Sequence, residues 1–371
     1  MPLAVSPLHH DLVLDLNQLH ERIRAVPSLA GLTRIAVAIY DAKSDQLRTF
    51  MDSSGGKVVL RHYVVRLRDV PSLAEVARHG LPRVVNDTAG YDLTVLHSRR
   101  LFEEGMRSSY TVPLKRDGAL KGFLFFNAGQ PDFFTPEALD LLWPYAQTAA
   151  FIAMMELDKV RLIKAALNTV LHISRHRDEE TGAHLERMSR YTRLIAESIA
   201  DSHGLSDAHI EYLHAFSPLH DIGKVAVPDS ILLKPGPLDA DEYAMMKQHV
   251  AKGEEIIKAM MRGFSLSDVP QAHVLQNVVS YHHEAWDGSG YPYGMKGLEI
   301  PLEGRITAVA DVFDALTSHR PYKKAWTNDE AFSYLREMRG RKFYPPCVDA
   351  LILNRRRIEE IQSKFCEAAV E

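Results

Sequence analysis

A series of imidazoles and carboxylates runs through the sequence after residue 175: Glu180 and His184, the adjacent pair His220-Asp221, His249, the adjacent pair His282-His283, and Asp311. Imidazole nitrogen and carboxylate oxygen are the donor set of iron, manganese and other first-row ions, and the absence of thiolate from the series disfavours cysteine-based structural zinc. Taken singly, each residue is ordinary. His-Asp neighbours arise often, and a solitary histidine such as His249 more often lies at a surface or satisfied in a core. Asp311 stands in the apolar stretch TAVADVFDAL, where a buried carboxylate needs a compensating partner that a cation would supply. Glu180 and His184 are four apart, on one face of a helix, so both can approach one ion or two neighbouring ions. Successive helical side chains diverge by about 100°. His220 with Asp221, and His282 with His283, therefore require irregular backbone or serve two different ions, and a bridging Asp221 would allow both.

Such donors need helices to aim them. Beyond residue 165 the pattern is dominated by helical periodicity, as in RMSRYTRLIAESIA (187–200) and PLEGRITAVADVFDALTS (301–318), which predicts an all-α bundle over 171–371 with ligands converging from several helices. A connecting helix is predicted over 137–170, with Thr135 as N-cap and Pro136 at the first helical position. Leu139, Leu142, Ala146, Ala149, Ala153, Val160, Ile163, Leu167 and Val170 follow heptad spacing, interrupted at Glu156 and with a bend expected at Pro144. This stripe suits pairing with a second copy in a homodimer, or packing on the helix's own domain. Residues 1–136 read as α/β: the β-rich runs IAVAIY (35–40), KVVLRHYVVRL (57–67) and RVVND (83–87) alternate with helical stretches. SYTVPLK and LKGFLFF flank Arg116-Asp117-Gly118-Ala119, where an Asp-Gly turn joins two antiparallel strands.

With 371 residues the chain is long enough for two domains. Its net charge of -4, from 44 Lys and Arg against 48 Asp and Glu, gives no polycationic face for duplex nucleic acid. Cys347 and Cys366 fit no zinc or disulfide framework, which favours a reducing compartment. No stretch approaches the roughly 18 apolar residues of a membrane span, and the first residues lack a signal-peptide pattern. A cytoplasmic protein without membrane partners is expected.

Read jointly, RDEETGAHLERMSRY (177–191), HDIGKVAVPDSILLKPGPL (220–238), HHEAWDGSGYPYGMKGLEIPLEGRI (282–306) and ADVFDALTSHRPYKKAW (310–326) resemble the HD-GYP family, HD-domain phosphohydrolases whose characterised members cleave cyclic di-GMP. Gly290-Tyr291-Pro292 alone would be an ordinary turn; its place closely behind His282-His283-Glu284 makes the match specific. The resemblance implies that His220, Asp221, His249, His282, His283 and Asp311 hold a binuclear centre joined by His184. It also puts Glu180 where some members take a third ion. Two or three metal ions per chain follow, iron first and manganese second, with every ligand position intact. Paired ions of this kind activate water for in-line attack on a phosphodiester, so the implied reaction opens cyclic di-GMP to pGpG, with GMP as a further product. Asp221 and Lys224 are the implied catalytic groups, Lys224 contacting the phosphate or protonating the leaving oxygen.

For substrate, the resemblance implies Arg320 and Lys323 on the phosphates and Gly290, Tyr291 and Pro292, with Tyr293, at the pocket. Asp314 would touch substrate or support the metals, and Trp286 would stack on substrate or pack. The first 136 residues resemble, by pattern, a GAF domain with a central antiparallel sheet, a PAS-like sensor being the alternative. Its ligand is open, from a small molecule to none, although covalent bilin attachment is excluded because no cysteine lies there. Competing readings are an HD enzyme acting on another cyclic dinucleotide or a nucleotide monophosphate ester, and a non-catalytic receptor for cyclic di-GMP.

Overall fold

The computed structural model describes residues 15–53, 60, 62–90, 96–174, 182–263, 272–318 and 324–365. The chain divides into two compact units, Met1–Lys159 and Val160–Glu371.

In the first unit, helix α1 (Leu16–Arg24) starts at Asp15, whose carboxylate accepts the Gln18 N–H at 2.7 Å and so satisfies one orphan donor of the first turn. Then come strands β1 (Leu32–Asp41), β2 (Gln46–Asp52) and β3 (Val64–Arg66), helix α2 (Pro71–His79), strand β4 (Arg83–Val85), helix α3 (Leu96–Glu103), and strands β5 (Ser108–Arg116) and β6 (Ala119–Ala128). The strands form one six-stranded sheet in the order β3-β2-β1-β6-β5-β4, antiparallel at every pairing. The expected hairpin is present. Arg116 pairs with Ala119, and Asp117 and Gly118 take φ values of 51° and 74°, the left-handed pair whose twist matches the flanking strands. The run 57–67 narrows, among the described residues, to β3, with the Tyr63 carbonyl still accepting the Thr49 N–H of β2 at 3.1 Å and Leu60 packing with Leu101 and Met106. Arg34 of β1, Arg48 of β2 and Phe125 and Asn127 of β6 line a concavity together with Tyr63.

Helix α4 (Pro136–Ser174) is 39 residues long, runs through Pro144 uninterrupted and crosses the division between the units. Thr135 Oγ1 caps it, accepting the Ala138 N–H at 3.2 Å. Leu142, Ala146, Ala149 and Ala153 are buried within the protomer. Phe151, Met155 and Leu162, by contrast, are 64%, 43% and 69% exposed.

The second unit is helical: α5 (Gly182–His203), α6 (Asp207–Phe216), α7 (Asp229–Leu232), α8 (Ala240–Gly263), α9 (Ala272–Tyr281), α10 (Leu302–Thr317), α11 (Asn328–Met338), α12 (Pro345–Leu353) and α13 (Arg355–Lys364). Phe313 of α10 is fully buried between Tyr191 of α5 and Phe332 of α11, at ring-centroid distances of 5.2 and 5.4 Å. Burying such a ring contributes about 1.5–3 kcal/mol, and it fixes α10 against the helix that carries His184. Cys347 lies in this core, where burial pushes its thiol up. No described helix is long and apolar enough to cross a membrane.

Candidate metal centre

Five segments deliver the donors. The first turn of α5 carries His184, α8 carries His249, and α10 carries Asp311. His220 and Asp221 lie between two 3-10 turns, Ser217–Leu219 and Ile222–Ala226, and His282-His283 follow the end of α9. Both adjacent pairs therefore stand on irregular backbone, which lets neighbouring side chains aim at one region despite the helical divergence of about 100° per residue. Gly223 makes the junction with α8: a Cβ there would lie 1.8 Å from the His249 carbonyl oxygen and 2.4 Å from the Gly253 nitrogen. Only glycine permits that approach of backbones.

The donors fall into two sets, Asp221 with His249, His282 and His283, and His184 with His220 and Asp311, each with its ligand atoms within 4.8 Å of one another. Asp221 faces both sets. Its Oδ1 lies 3.0 Å from His249 Nε2 and 3.4 Å from His282 Nε2, while its Oδ2 lies 3.3 Å from His220 Nε2. His220 Nε2 is in turn 3.6 Å from Asp311 Oδ1. Lys224 Nζ stands 2.8 Å from Asp221 Oδ2, since in a 3-10 turn residues three apart eclipse.

The imidazoles are oriented as metal ligands. His220 Nδ1 donates to the Ser217 carbonyl at 3.0 Å, His249 Nδ1 to Met246 at 2.8 Å, and His282 Nδ1 to Val279 at 3.0 Å. A carbonyl only accepts, so Nδ1 carries a proton in each ring and Nε2 is the nitrogen turned into the cluster. His220, His249 and His282 Nε2 and Asp221 Oδ1 are buried without a hydrogen bond, an arrangement that is costly unless a cation occupies the point on which they converge.

Electrostatics agree. Burial would raise the carboxyls of Asp221 and Asp311, yet Lys224 and His220 hold Asp221, and His220 holds Asp311, below the usual carboxylate range. Burial would lower His220, but Asp221 and Asp311 outweigh it and push it up. Burial lowers His282 and His283, and neighbouring imidazoles add to the effect. Ionised carboxylates thus face His282 and His283 held neutral, the protonation state that metal binding needs, while the same carboxylates hold His220 toward its protonated form, a proton that a bound cation would displace.

Asp314 supports this cluster from behind. It is fully buried, with Oδ2 2.7 Å from His184 Nδ1. Arg187 Nε donates to Oδ1 at 2.7 Å and Nη2 to Oδ2 at 3.0 Å, and Ser318 Oγ adds a bond at 2.8 Å. So engaged, Asp314 turns both oxygens to His184, Arg187 and Ser318. Arg187 reaches further: its Nη1 donates to the Phe365 carbonyl at 2.9 Å, and the Arg190 guanidinium covers the Phe365 ring at 4.2 Å.

The Gly290-Tyr291-Pro292 segment closes over the histidines. The Tyr291 ring stacks on His283 at 4.6 Å, and its N–H donates to the His283 carbonyl at 3.1 Å. Buried Glu284 clamps the segment, accepting the Tyr293 N–H at 2.7 Å and the Met295 N–H at 2.9 Å. A Cβ on Gly290 would lie 2.2 Å from the Ala285 nitrogen. Tyr293 donates its hydroxyl to Glu254. Trp286 stacks on Tyr344 at 4.7 Å, the packing role of the two expected for it. Glu180, Arg320 and Lys323 lie outside the described residues. Sequence reasoning missed Arg187 and Glu284; Glu284 sits inside the quoted His-His-Glu run, and that position was the available signal.

Residues 179–347 match the family model described as HD domain, and residues 19–153 that described as GAF domain. The chain is 46% identical over 206 residues to the cyclic di-GMP phosphodiesterase response regulator RpfG of Xanthomonas campestris, covering 56% of this chain and 52% of that protein. It is 45% identical over 176 residues to 3'3'-cGAMP-specific phosphodiesterase 2 of Vibrio cholerae, covering 47% and 32%. It is 40% identical over 189 residues to a cyclic di-GMP phosphodiesterase of Thermotoga maritima, covering 51% and 48%. The chain spans about half, or less, of the length of these curated relatives.

Proposed function

Since residues 179–347 carry an HD domain and residues 19–153 a GAF domain, we propose that this chain is a metal-dependent phosphodiesterase of the HD-GYP type. Its substrate would be cyclic di-GMP, opened to pGpG, with GMP as the product of a second cleavage, under control of the GAF domain. The observation that carries the reading is Asp221, whose two oxygens face two separate sets of ligands at 3.0–3.4 Å. His249, His282 and His283 would hold one ion, His184, His220 and Asp311 a second, and Asp221 would belong to both. Glu180 is kept as a ligand of a third. Iron or manganese bound there would lower the pKa of water and offset charge on the phosphate.

The chain's own groups complete the proposal. Lys224 places an ammonium beside Asp221, where it would hold a phosphate oxygen or give a proton to the leaving oxygen. Tyr291, packed on His283, would wall the pocket and exclude water, and burial keeps its hydroxyl protonated by raising it. Arg320 and Lys323 would grip the phosphates. A cytoplasmic homodimer belongs to the same proposal, paired through Phe151 and Met155 of α4, one turn apart and both exposed.

A second reading, hydrolysis of a mixed cyclic dinucleotide, is favoured by the 45% identity to the Vibrio cholerae relative named for 3'3'-cGAMP. Anaerobic incubation of iron- or manganese-loaded protein with each dinucleotide, with products followed by chromatography and metals counted per chain, tests both. Hydrolysis of cyclic di-GMP to pGpG with two or three bound metals is expected. Preferential turnover of 3'3'-cGAMP would move the substrate, and tight binding without product would make the chain a receptor.

A further inference from the structure

Apart from the centre just described, the starts of three helices bring together His209, His273 and Glu303. His209 lies in the first turn of α6, its N–H capped by Ser206 Oγ at 3.1 Å. His273 is the second residue of α9 and Glu303 the second of α10. Along α10, Glu303 precedes Asp311 by eight residues, about 12 Å of helix, too far for the two carboxylates to share an ion.

Glu303 is only 6% exposed. Asn277, one turn along α9 from His273, donates its amide to Oε2 at 3.1 Å. That bond engages one carboxylate oxygen and turns Oε1 toward the imidazoles, 3.1 Å from His209 Nε2 and 4.0 Å from His273 Nε2. His209 Nε2 is buried, and its ion-pair contact with Oε1 is not completed by a regular hydrogen bond. His220, His249 and His282 show the same condition at the first centre. Two ligands of a tetrahedral zinc ion, each about 2.0–2.1 Å from the metal, stand roughly 3.3 Å apart, within the span observed here.

We propose that His209, His273 and Glu303 form a second binding site for a divalent first-row cation, zinc by its donor set, with Asn277 orienting the carboxylate. The ion ties the start of α9 to α6 and α10. Because α9 ends at Tyr281, directly before His282-His283, anchoring its start also fixes the element that aims this pair.

The 371-residue chain, stripped of metal and titrated with zinc, tests the site through zinc content and not through turnover, so the outcome does not depend on the phosphodiesterase reading. His273 is about half exposed, and His273→Ala is expected to keep the fold by circular dichroism while binding one zinc fewer per chain than wild type. Asn277→Ala is expected to weaken that zinc roughly 10- to 100-fold, with cobalt absorption reporting the altered ligand field. Equal zinc stoichiometry and affinity in wild type and both variants would overturn the site and leave His209 and Glu303 an ordinary ion pair.

Discussion

Asp221 and Lys224 sit 2.8 Å apart and yet should fail in different ways. Asp221→Ala removes the oxygens that face both ligand sets, so turnover should vanish and metal content should fall together. Lys224→Ala leaves every donor in place and should retain metal while kcat drops roughly 10²- to 10⁴-fold, the range for loss of a positioned acid. Metal analysis beside steady-state kinetics separates the two, and equal metal loss in both variants would refute the division. At this scale the donors that the fold gathers into two sets were legible because residue type and motif coincide. Arg187 was not. On a helix face that also carries Glu186 and Arg190 it reads as solvated, and only the packing of α10 against α5 buries it on Asp314. Asp314 itself was half legible, since spacing put it beside Asp311 and could not say which way its oxygens turn.

Elements position the site through close backbone approach. Gly223→Ala would drive a methyl into the His249 carbonyl oxygen, so the 3-10 turn and α8 must separate. Destabilisation of about 1–3 kcal/mol or more is expected, visible in urea unfolding, together with metal loss although no ligand has changed. An unaltered metal content would show that His249 reaches the centre from either backbone position. The helices of the second unit and the β5–β6 hairpin were readable from periodicity and from Asp117-Gly118, both local signals. Strand β2 and the limits of β3 were not, because QLRTFMD lacks clean alternation and is held by pairing with β1, a tertiary effect that overrides propensity. The apolar stripe of α4 was legible as a stripe. Of the two uses expected for it, Leu142, Ala146, Ala149 and Ala153 pack within the protomer, while the side chains of Val160, Ile163, Leu167 and Val170 lie outside the described ones.

For the whole molecule, the exposed Phe151 and Met155 make the oligomeric state testable. Replacing Phe151 and Met155 together by Asp adds charge to an exposed face without touching the buried stripe, and should convert a dimer to a monomer by light scattering. A wild-type monomer, or a dimer indifferent to the change, would remove α4 as the pairing element. A different long-range link is already closed within the second unit. Phe365 is gripped by Arg187 and Arg190, and the same Arg187 guanidinium braces Asp314 against His184. Three hydrogen-bonded steps, through Arg187 and Asp314, therefore separate the backbone behind α13 from His184, a candidate metal ligand. A protease that nicked the chain there, or a fused tag that dragged on it, would slacken a leash whose other end holds the histidine.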